Sequence, residues 1–240
     1  MELALVLKRL ESLADPQNAR GMERFGIVTQ KTYGISAPVL KAFAKEVKKS
    51  AADRHLLALE LWETGVYDAR AVAFLIDDPK QVTKKQMDLW AADFDNWATV
   101  DGTCCYLFSE TPVAYEKAVE WAGRDAEFVK RAGFAMMAYL ALHDKNAPDD
   151  AFNPFLAKIE EQAVDERNFV KKAVNWALRQ IGKRDLAFNK LALEAAQRIK
   201  LQNTAAARWI ASDAIRELTS ESVLARLRKK QGLNAKDDGR

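Results

Sequence analysis

Helical periodicity runs through this sequence from end to end, and it restricts the possible folds more than any other feature. Apolar residues recur at intervals of three and four, and no run alternates between apolar and polar residues as a half-buried strand would. The pattern predicts an all-α chain. We expect fourteen helices, approximately at 2–14, 17–31, 37–49, 52–64, 67–77, 80–92, 96–109, 112–122, 125–143, 149–162, 165–182, 184–199, 203–217 and 220–230.

Prolines and polar residues mark several of the predicted helix starts. Asp78-Pro79 and Thr111-Pro112 each place a capping residue before a proline that suits the first helical position. Ser36-Ala-Pro38 has the same role before the third helix. The last residues, 232–240, are polar and glycine-containing, and they are expected to form a flexible tail.

A sequence repeat indicates how the helices are arranged. Phe128-Val-Lys-Arg131-Ala132 recurs 41 residues later as Phe169-Val-Lys-Lys172-Ala173, with a weaker echo around Arg208. Repeats of roughly 40 residues are typical of HEAT and armadillo arrays, in which helix pairs stack and the second helices line a concave face. No linker rich in Gly, Pro or Ser interrupts the chain. We therefore predict one HEAT-like solenoid domain, residues 1–231, of about seven antiparallel helix pairs with a concave face.

Composition excludes several classes of protein. No apolar run approaches the ~20 residues that span a bilayer, and the N-terminal stretch is an amphipathic helix and not a signal peptide. Cys104 and Cys105 are adjacent, while His55 and His143 lie far apart, so neither a disulfide framework nor a metal cluster is expected. These features predict a cytoplasmic protein without a membrane partner, a metal or a cofactor.

The distribution of charge is more informative than the net charge of +3. Residues 171–200 hold eight Lys and Arg against two acidic residues, a net charge of +6, and residues 1–49 hold nine against five. The stretch 50–101 is net acidic. This segregation is compatible with a polyanion that lies along one surface. Helical proteins also have uneven charge without such a partner, so both interpretations remain open.

Trp97 and Asp101 are the first candidates for chemistry. Their spacing of four residues places both side chains on one face of a helix. A flat aromatic ring beside a carboxylate suits a planar cationic group. The alternative is a half-buried packing residue next to a solvated charge.

The repeat adds cations and a second tryptophan to the candidates. It makes Arg131 and Lys172 equivalent positions, while Lys172, Trp176, Arg179 and Lys183 share one helix face. The alternative is that these cations form the polar side of amphipathic helices and that Trp176 packs between repeats. Packing is the role assigned to the other tryptophans, Trp62, Trp90, Trp121 and Trp209.

Four segments in this order resemble the AlkD-like DNA alkylation-repair glycosylases, over roughly residues 20 to 225. The segments are Tyr33-Gly-Ile-Ser-Ala-Pro38 with Glu60-Leu-Trp62, Asn96-Trp97 with Asp101, Phe128-Val-Lys-Arg131-Ala-Gly-Phe-Ala, and Phe169-Val-Lys-Lys-Ala-Val-Asn-Trp176-Ala-Leu-Arg179. The resemblance implies a HEAT-like DNA glycosylase whose concave face is DNA-binding. It also implies release of cationic purines, mainly 3-methyladenine and 7-methylguanine, from duplex DNA without a metal or cofactor.

The resemblance also implies residue roles. Asp101 becomes the catalytic carboxylate, Trp97 and Trp176 become aromatic platforms beside the lesion nucleotide, and Arg131 becomes a phosphate contact. The neighbouring cations expected to hold phosphates are Lys171, Lys172 and Arg179. The position three before the catalytic Asp is often acidic in that family, whereas this chain has Ala98.

Three functions follow from these observations. The first is a monofunctional, monomeric alkylpurine DNA glycosylase of base excision repair. The second is a catalytically silent relative that binds DNA structures through the same basic surface. The third is a HEAT scaffold that binds another protein, which would favour apolar or acidic exposed stripes over a segment of charge +6.

Overall fold

The structure, a computed structural model, describes residues 1–232, with the backbone alone for Asp149. Within this range the chain is helical and contains no strand, as predicted. The helices are α1 (Leu3–Ser12), α2 (Pro16–Met22), α3 (Ala37–Ser50), α4 (Arg54–Glu63), α5 (Tyr67–Ile76), α6 (Lys84–Ala92), α7 (Trp97–Tyr106), α8 (Ala114–Ala122), α9 (Glu127–His143), α10 (Asn153–Gln162), α11 (Asn168–Ile181), α12 (Leu186–Lys200), α13 (Ala205–Leu218) and α14 (Glu221–Lys230). Short 3-10 turns lie at Glu23–Phe25, Phe108–Glu110 and Asp149–Phe152.

The chain forms two compact units, Met1–Ala114 and a second that begins at Tyr115. The boundary falls at the start of α8, in a stretch without a linker-like composition. The single domain over 1–231 stays a prediction. All but the first residue of the predicted tail, 232–240, lies outside the described residues.

Polar side chains account for many of the helix starts. A side-chain oxygen accepts a hydrogen bond from a backbone N–H of the first turn and so satisfies a group that has no partner within the helix. The helices α2, α4, α6, α7, α12 and α13 begin in this way, at Asp15, Asp53, Thr83, Asn96, Asp185 and Thr204.

Several predicted helix starts and ends are wrong. Thr111-Pro112 does not begin α8, because the Thr111 hydroxyl donates to the Phe108 carbonyl at 2.8 Å and the helix starts at Ala114. The predicted helix 17–31 ends at Met22 and continues only as a 3-10 turn to Phe25, because Gly26 adopts a left-handed φ of 72°. The predicted helix 80–92 begins at Lys84, because the Thr83 side chain accepts from the Gln86 N–H and forms the cap. Asp78-Pro79 instead forms a turn, in which the Asp78 carbonyl accepts from Gln81.

The core of the first unit contains a stacked pair of tryptophans. The rings of Trp62 and Trp90 lie 4.0 Å apart at an interplanar angle of 4°. The Trp62 indole donates to Asp93 at 2.8 Å, so its polar atom is satisfied despite burial. Trp121 is also buried in the second unit, but Trp209 is 42% exposed, so its assignment to packing was wrong.

The segment between α2 and α3 is held by a buried carboxylate. Asp68 on α5 is fully buried and accepts hydrogen bonds from Thr32 Oγ1 (2.9 Å), the Tyr33 N–H (2.6 Å) and the Ile35 N–H (2.9 Å). Gly34 then packs so closely on α2 that an added Cβ would meet the Asp15 carbonyl oxygen at 2.4 Å. These bonds fix residues 32–35 between α2 and α5.

In the second unit, the repeated segments pack side by side. The rings of Phe128 on α9 and Phe169 on α11 lie 5.4 Å apart, which confirms that the 41-residue repeat relates neighbouring helices. The contact between α11 and α13 includes an Asn175–Asp213 hydrogen bond of 2.7 Å. Gly133 on α9 allows a close approach to α8, since an added Cβ would meet the Ala122 backbone nitrogen at 2.4 Å.

Candidate functional site

Helix α7 carries the first two candidate residues on a firmly fixed first turn. The buried Asn96 side chain accepts hydrogen bonds from the N–H groups of Ala98 and Thr99, both at 3.0 Å. Trp97 is the first helical residue, and Asp101 follows it one turn later. Both residues are half-buried. The cap thus determines where Trp97 and Asp101 are presented.

The indole of Trp97 is anchored to the segment that follows α2. Its Nε1–H donates to the carbonyl oxygen of Phe25 at 2.8 Å. An indole has one donor and no acceptor, so this bond fixes the ring orientation and leaves only its faces and edges for other contacts. No pattern in the sequence indicates this partner, which lies 72 residues upstream.

The residue after Asp101 explains how closely α7 packs on α5. A Cβ on Gly102 would lie 2.5 Å from the Phe74 ring, so a larger residue would push the helix away. Phe74 in turn stacks on Tyr106 at 6.2 Å, and the Lys41 ammonium lies 4.9 Å from the Tyr106 ring. Gly102 therefore allows α7, the helix that carries Asp101, to pack closely on α5.

Tyr67, at the start of α5, has a phenol hydroxyl close to the carboxylates of Asp68 and Asp95. Burial, together with the charges of Asp68 and Asp95, raises the pKa of its hydroxyl to about 12. The group thus stays protonated at neutral pH.

In the second unit, Arg131 is more deeply placed than a surface phosphate contact. It is 7% exposed, and its guanidinium donates from Nη1 to the carbonyl oxygen of Phe169 at 2.9 Å. An arginine side chain stays charged and has five N–H donors. Little of this residue is therefore left for a phosphate contact.

Helix α11 has one buried apolar side and one more accessible side. The helix buries its apolar residues Val170, Ala173, Val174, Ala177, Leu178 and Ile181. Lys172 is exposed on the other side, and Trp176 is half-buried with its ring edge-on to Tyr139 at 5.0 Å. The Lys171 ammonium lies 5.8 Å from the exposed Trp209 ring.

Arg179 has acidic partners that the sequence did not predict. Its guanidinium pairs with Glu217 and lies 3.6 Å from Asp213, while Lys183 binds Glu217 at 2.6 Å. Burial alone would raise the pKa of Glu217, but the hydrogen bonds from Lys183 and Arg179 outweigh it and hold the pKa below its usual value. Arg179 is therefore a partly neutralised cation.

Other cations of the 171–200 segment also have structural partners. Arg198 forms a bidentate pair with Glu160, and Arg184 donates to the carbonyl oxygens of Ala141 and Asp144. Among the described residues of this segment, the cations that are exposed and make no ion pair are Lys172, Lys190 and Lys200. The free positive charge is thus smaller than the sequence count suggests.

The seven predicted site residues fall into two groups. Trp97 and Asp101 lie together on α7 in the first unit. The others lie on α9 and α11 in the second unit, namely Arg131, Lys171, Lys172, Trp176 and Arg179. In the part of the chain that the structure describes, no three His, Cys, Asp or Glu side chains gather to share a metal ion. No helix within that part has the length and apolar character to cross a membrane.

The fold places this chain among the HEAT-like repeat proteins. Its structure matches, with a TM-score of 0.72, that of a protein from a family related to the HEAT-like repeat DNA glycosylases with affinity for branched DNA structures. The two sequences are 22% identical, and the match covers 90% of this chain and 95% of the other. A comparison with functionally curated proteins finds no match.

The sequence itself identifies the family. Residues 6–218 match the DNA alkylation repair enzyme family. The chain belongs to that family.

Proposed function

We propose that this protein is a monofunctional DNA glycosylase that hydrolyses the N-glycosidic bond of cationic alkylated purines in duplex DNA. The substrates would be 3-methyladenine and 7-methylguanine. The observation that carries the proposal is the placement of an anchored Trp97 one turn before Asp101, in a chain of the DNA alkylation repair family.

The chemistry needs few groups. Alkylation at a ring nitrogen makes the purine cationic, so the base leaves with the bonding electron pair as a neutral molecule and needs no general acid. Positive charge develops on the sugar, as in other glycoside hydrolyses. The Asp101 carboxylate would stabilise that charge and orient a water molecule, whose oxygen bonds to C1′ while its proton is lost to the carboxylate or to solvent.

The remaining candidates would bind and orient the DNA. The faces of Trp97 and Trp176 suit a cationic nucleotide. Lys172 offers an exposed charge to a phosphate, and the largely buried Arg131 would be a further phosphate contact. Such contacts do not depend on base sequence. Lys171 and Arg179 belong to the same set. The protein would act as a monomer in the cytoplasm, and no metal or cofactor enters this chemistry.

A second candidate function is binding of DNA structures without base release. It is favoured by the likeness in fold to a protein whose family has affinity for branched DNA. This alternative needs the cations but not the carboxylate. Asp101 therefore distinguishes the two functions.

The test is release of base from a short duplex that carries one 7-methylguanine. We expect release by the wild type and a loss of about 10²–10³ in rate in Asp101→Asn, with DNA affinity retained. Glu110→Gln, which removes an exposed carboxylate of the same unit, is the matched control and should leave the rate unchanged. Salt-sensitive binding without release by any variant would replace the proposal with the second function. If the protein binds no DNA at all, both DNA functions are excluded and the third function, a scaffold that binds another protein, is favoured.

A further inference from the structure

The segment after α2 presents apolar side chains to solvent. Phe25 is 73% exposed and Val28 is 62% exposed. A cavity of about 530 Å³, lined in part by Ile27, Ile35 and Tyr67, lies directly beside Phe25. Burial of a phenylalanine ring is favourable, yet this ring stays exposed although apolar surface is adjacent.

The backbone holds Phe25 in this exposed position. Gly26, with φ at 72°, turns the chain, and its N–H donates to the Glu23 carbonyl at 2.9 Å. The Ile27 N–H donates to the Met22 carbonyl at 3.2 Å. The carbonyl of Phe25 itself accepts the Trp97 indole. Phe25 is therefore fixed relative to the proposed lesion platform.

The surroundings of Phe25 are cationic. Arg20, Arg24 and Lys31 are all exposed, against the single carboxylate of Glu23 in this stretch. Within residues 1–232, none of these three cations forms an ion pair with a carboxylate. An exposed aromatic ring among free cations suits a nucleic acid better than an apolar protein surface.

We propose that Phe25 is a wedge that stacks on an unpaired or unstacked base beside the lesion nucleotide, while Arg20, Arg24 and Lys31 hold the flanking phosphates. Apolar side chains that enter a base step separate its stacked bases, and aromatic rings accept any base face. The hydrogen bond from the Trp97 indole to the Phe25 carbonyl holds the wedge next to the lesion platform. This inference rests on the proposed DNA function but makes no use of Asp101.

The test compares two short duplexes that differ at one nucleotide. One is intact, and the other carries a stable tetrahydrofuran abasic analogue next to 2-aminopurine, a fluorescent base that reports stacking. We expect Phe25→Ala to weaken binding to the interrupted duplex about tenfold, the order of a lost base–aromatic stack, and to abolish the fluorescence change seen with wild type. Phe25→Tyr should restore both signals, and binding to the intact duplex should change little.

Leu89→Ala is the matched control, because Leu89 is a 59% exposed apolar residue of the same unit. It should behave as wild type. Equal binding and fluorescence of Phe25→Ala and wild type on the interrupted duplex would overturn the wedge, as would an equal loss in Leu89→Ala. The abasic analogue carries no base, so this binding test does not depend on glycosylase activity. If the wild type fails to release 7-methylguanine, the glycosylase proposal is refuted, while the wedge is still judged by binding to the interrupted duplex.

Discussion

The buried carboxylate of Asp68 gives the most specific prediction about stability. Asp68→Asn keeps the shape of the side chain but replaces one acceptor oxygen by an N–H donor. Oδ2 accepts from Thr32 and Tyr33, and Oδ1 accepts from Ile35. An asparagine would keep the first two bonds by placing its oxygen at Oδ2, but its NH2 group would then face the Ile35 N–H.

The magnitude follows from these bonds. One bond to a charged acceptor, worth about 1.5–3 kcal/mol, is lost, and the buried Ile35 N–H is left unpaired, at a cost of about 1–3 kcal/mol. The two retained bonds weaken because the acceptor is no longer charged. We expect the free energy of unfolding to fall by about 3 kcal/mol.

Urea denaturation followed by circular dichroism measures this loss, and amide hydrogen exchange locates it. The Tyr33 and Ile35 amides should lose protection first, since both depend on Asp68. Glu63→Gln, at an exposed position in the same unit, should change stability by less than about 0.5 kcal/mol. A loss below about 1 kcal/mol in Asp68→Asn, with both amides still protected, would refute the reasoning.

Two further predictions concern the second unit. Gly133→Ala should destabilise the protein by about 1–3 kcal/mol in thermal melting, because its Cβ meets the Ala122 backbone and not a flexible side chain; an unchanged melting temperature would contradict this packing. Glu217→Gln should lower the free energy of unfolding at neutral pH by about 1–2 kcal/mol and should steepen the salt dependence of DNA binding, since it frees Arg179 and Lys183 for phosphates. Because the pKa of Glu217 is lowered on folding, its contribution is present above a pH of about 4.5 and is lost as the pH falls through the lowered pKa, so the two proteins should converge in acid. A difference that stays constant down to the pH at which the protein unfolds would contradict this.

The sequence predicts the helices well because their signals are local. Apolar spacing within each helix is enough to place most of them, and the repeat correctly pairs α9 with α11 through Phe128 and Phe169. One error was local, since the Thr83 side chain caps the Gln86 N–H and starts α6 later than predicted. Another involves a distant residue. Residues 26–36 leave the helix because Gly26 turns the chain and Asp68, more than 30 residues away, holds the segment.

The candidate site shows the same division. The spacing of Trp97 and Asp101 is local, and α7 indeed carries both. The burial of Arg131 under the Phe169 carbonyl and the pairing of Arg179 with Glu217 each depend on a partner 38 residues away. Periodicity identifies a polar helix face, but it cannot tell whether a cation on that face meets solvent or a carboxylate from the next repeat.

The hydrogen bond from Trp97 to Phe25 has a consequence for recognition. Hydrogen bonding to base edges is how proteins distinguish one base from another, and the only donor of this ring is already engaged by the protein. Its remaining π face attracts any cationic ring to a similar degree. At this contact the protein would sense charge and not base identity, so discrimination between lesions would come from how readily each damaged base departs.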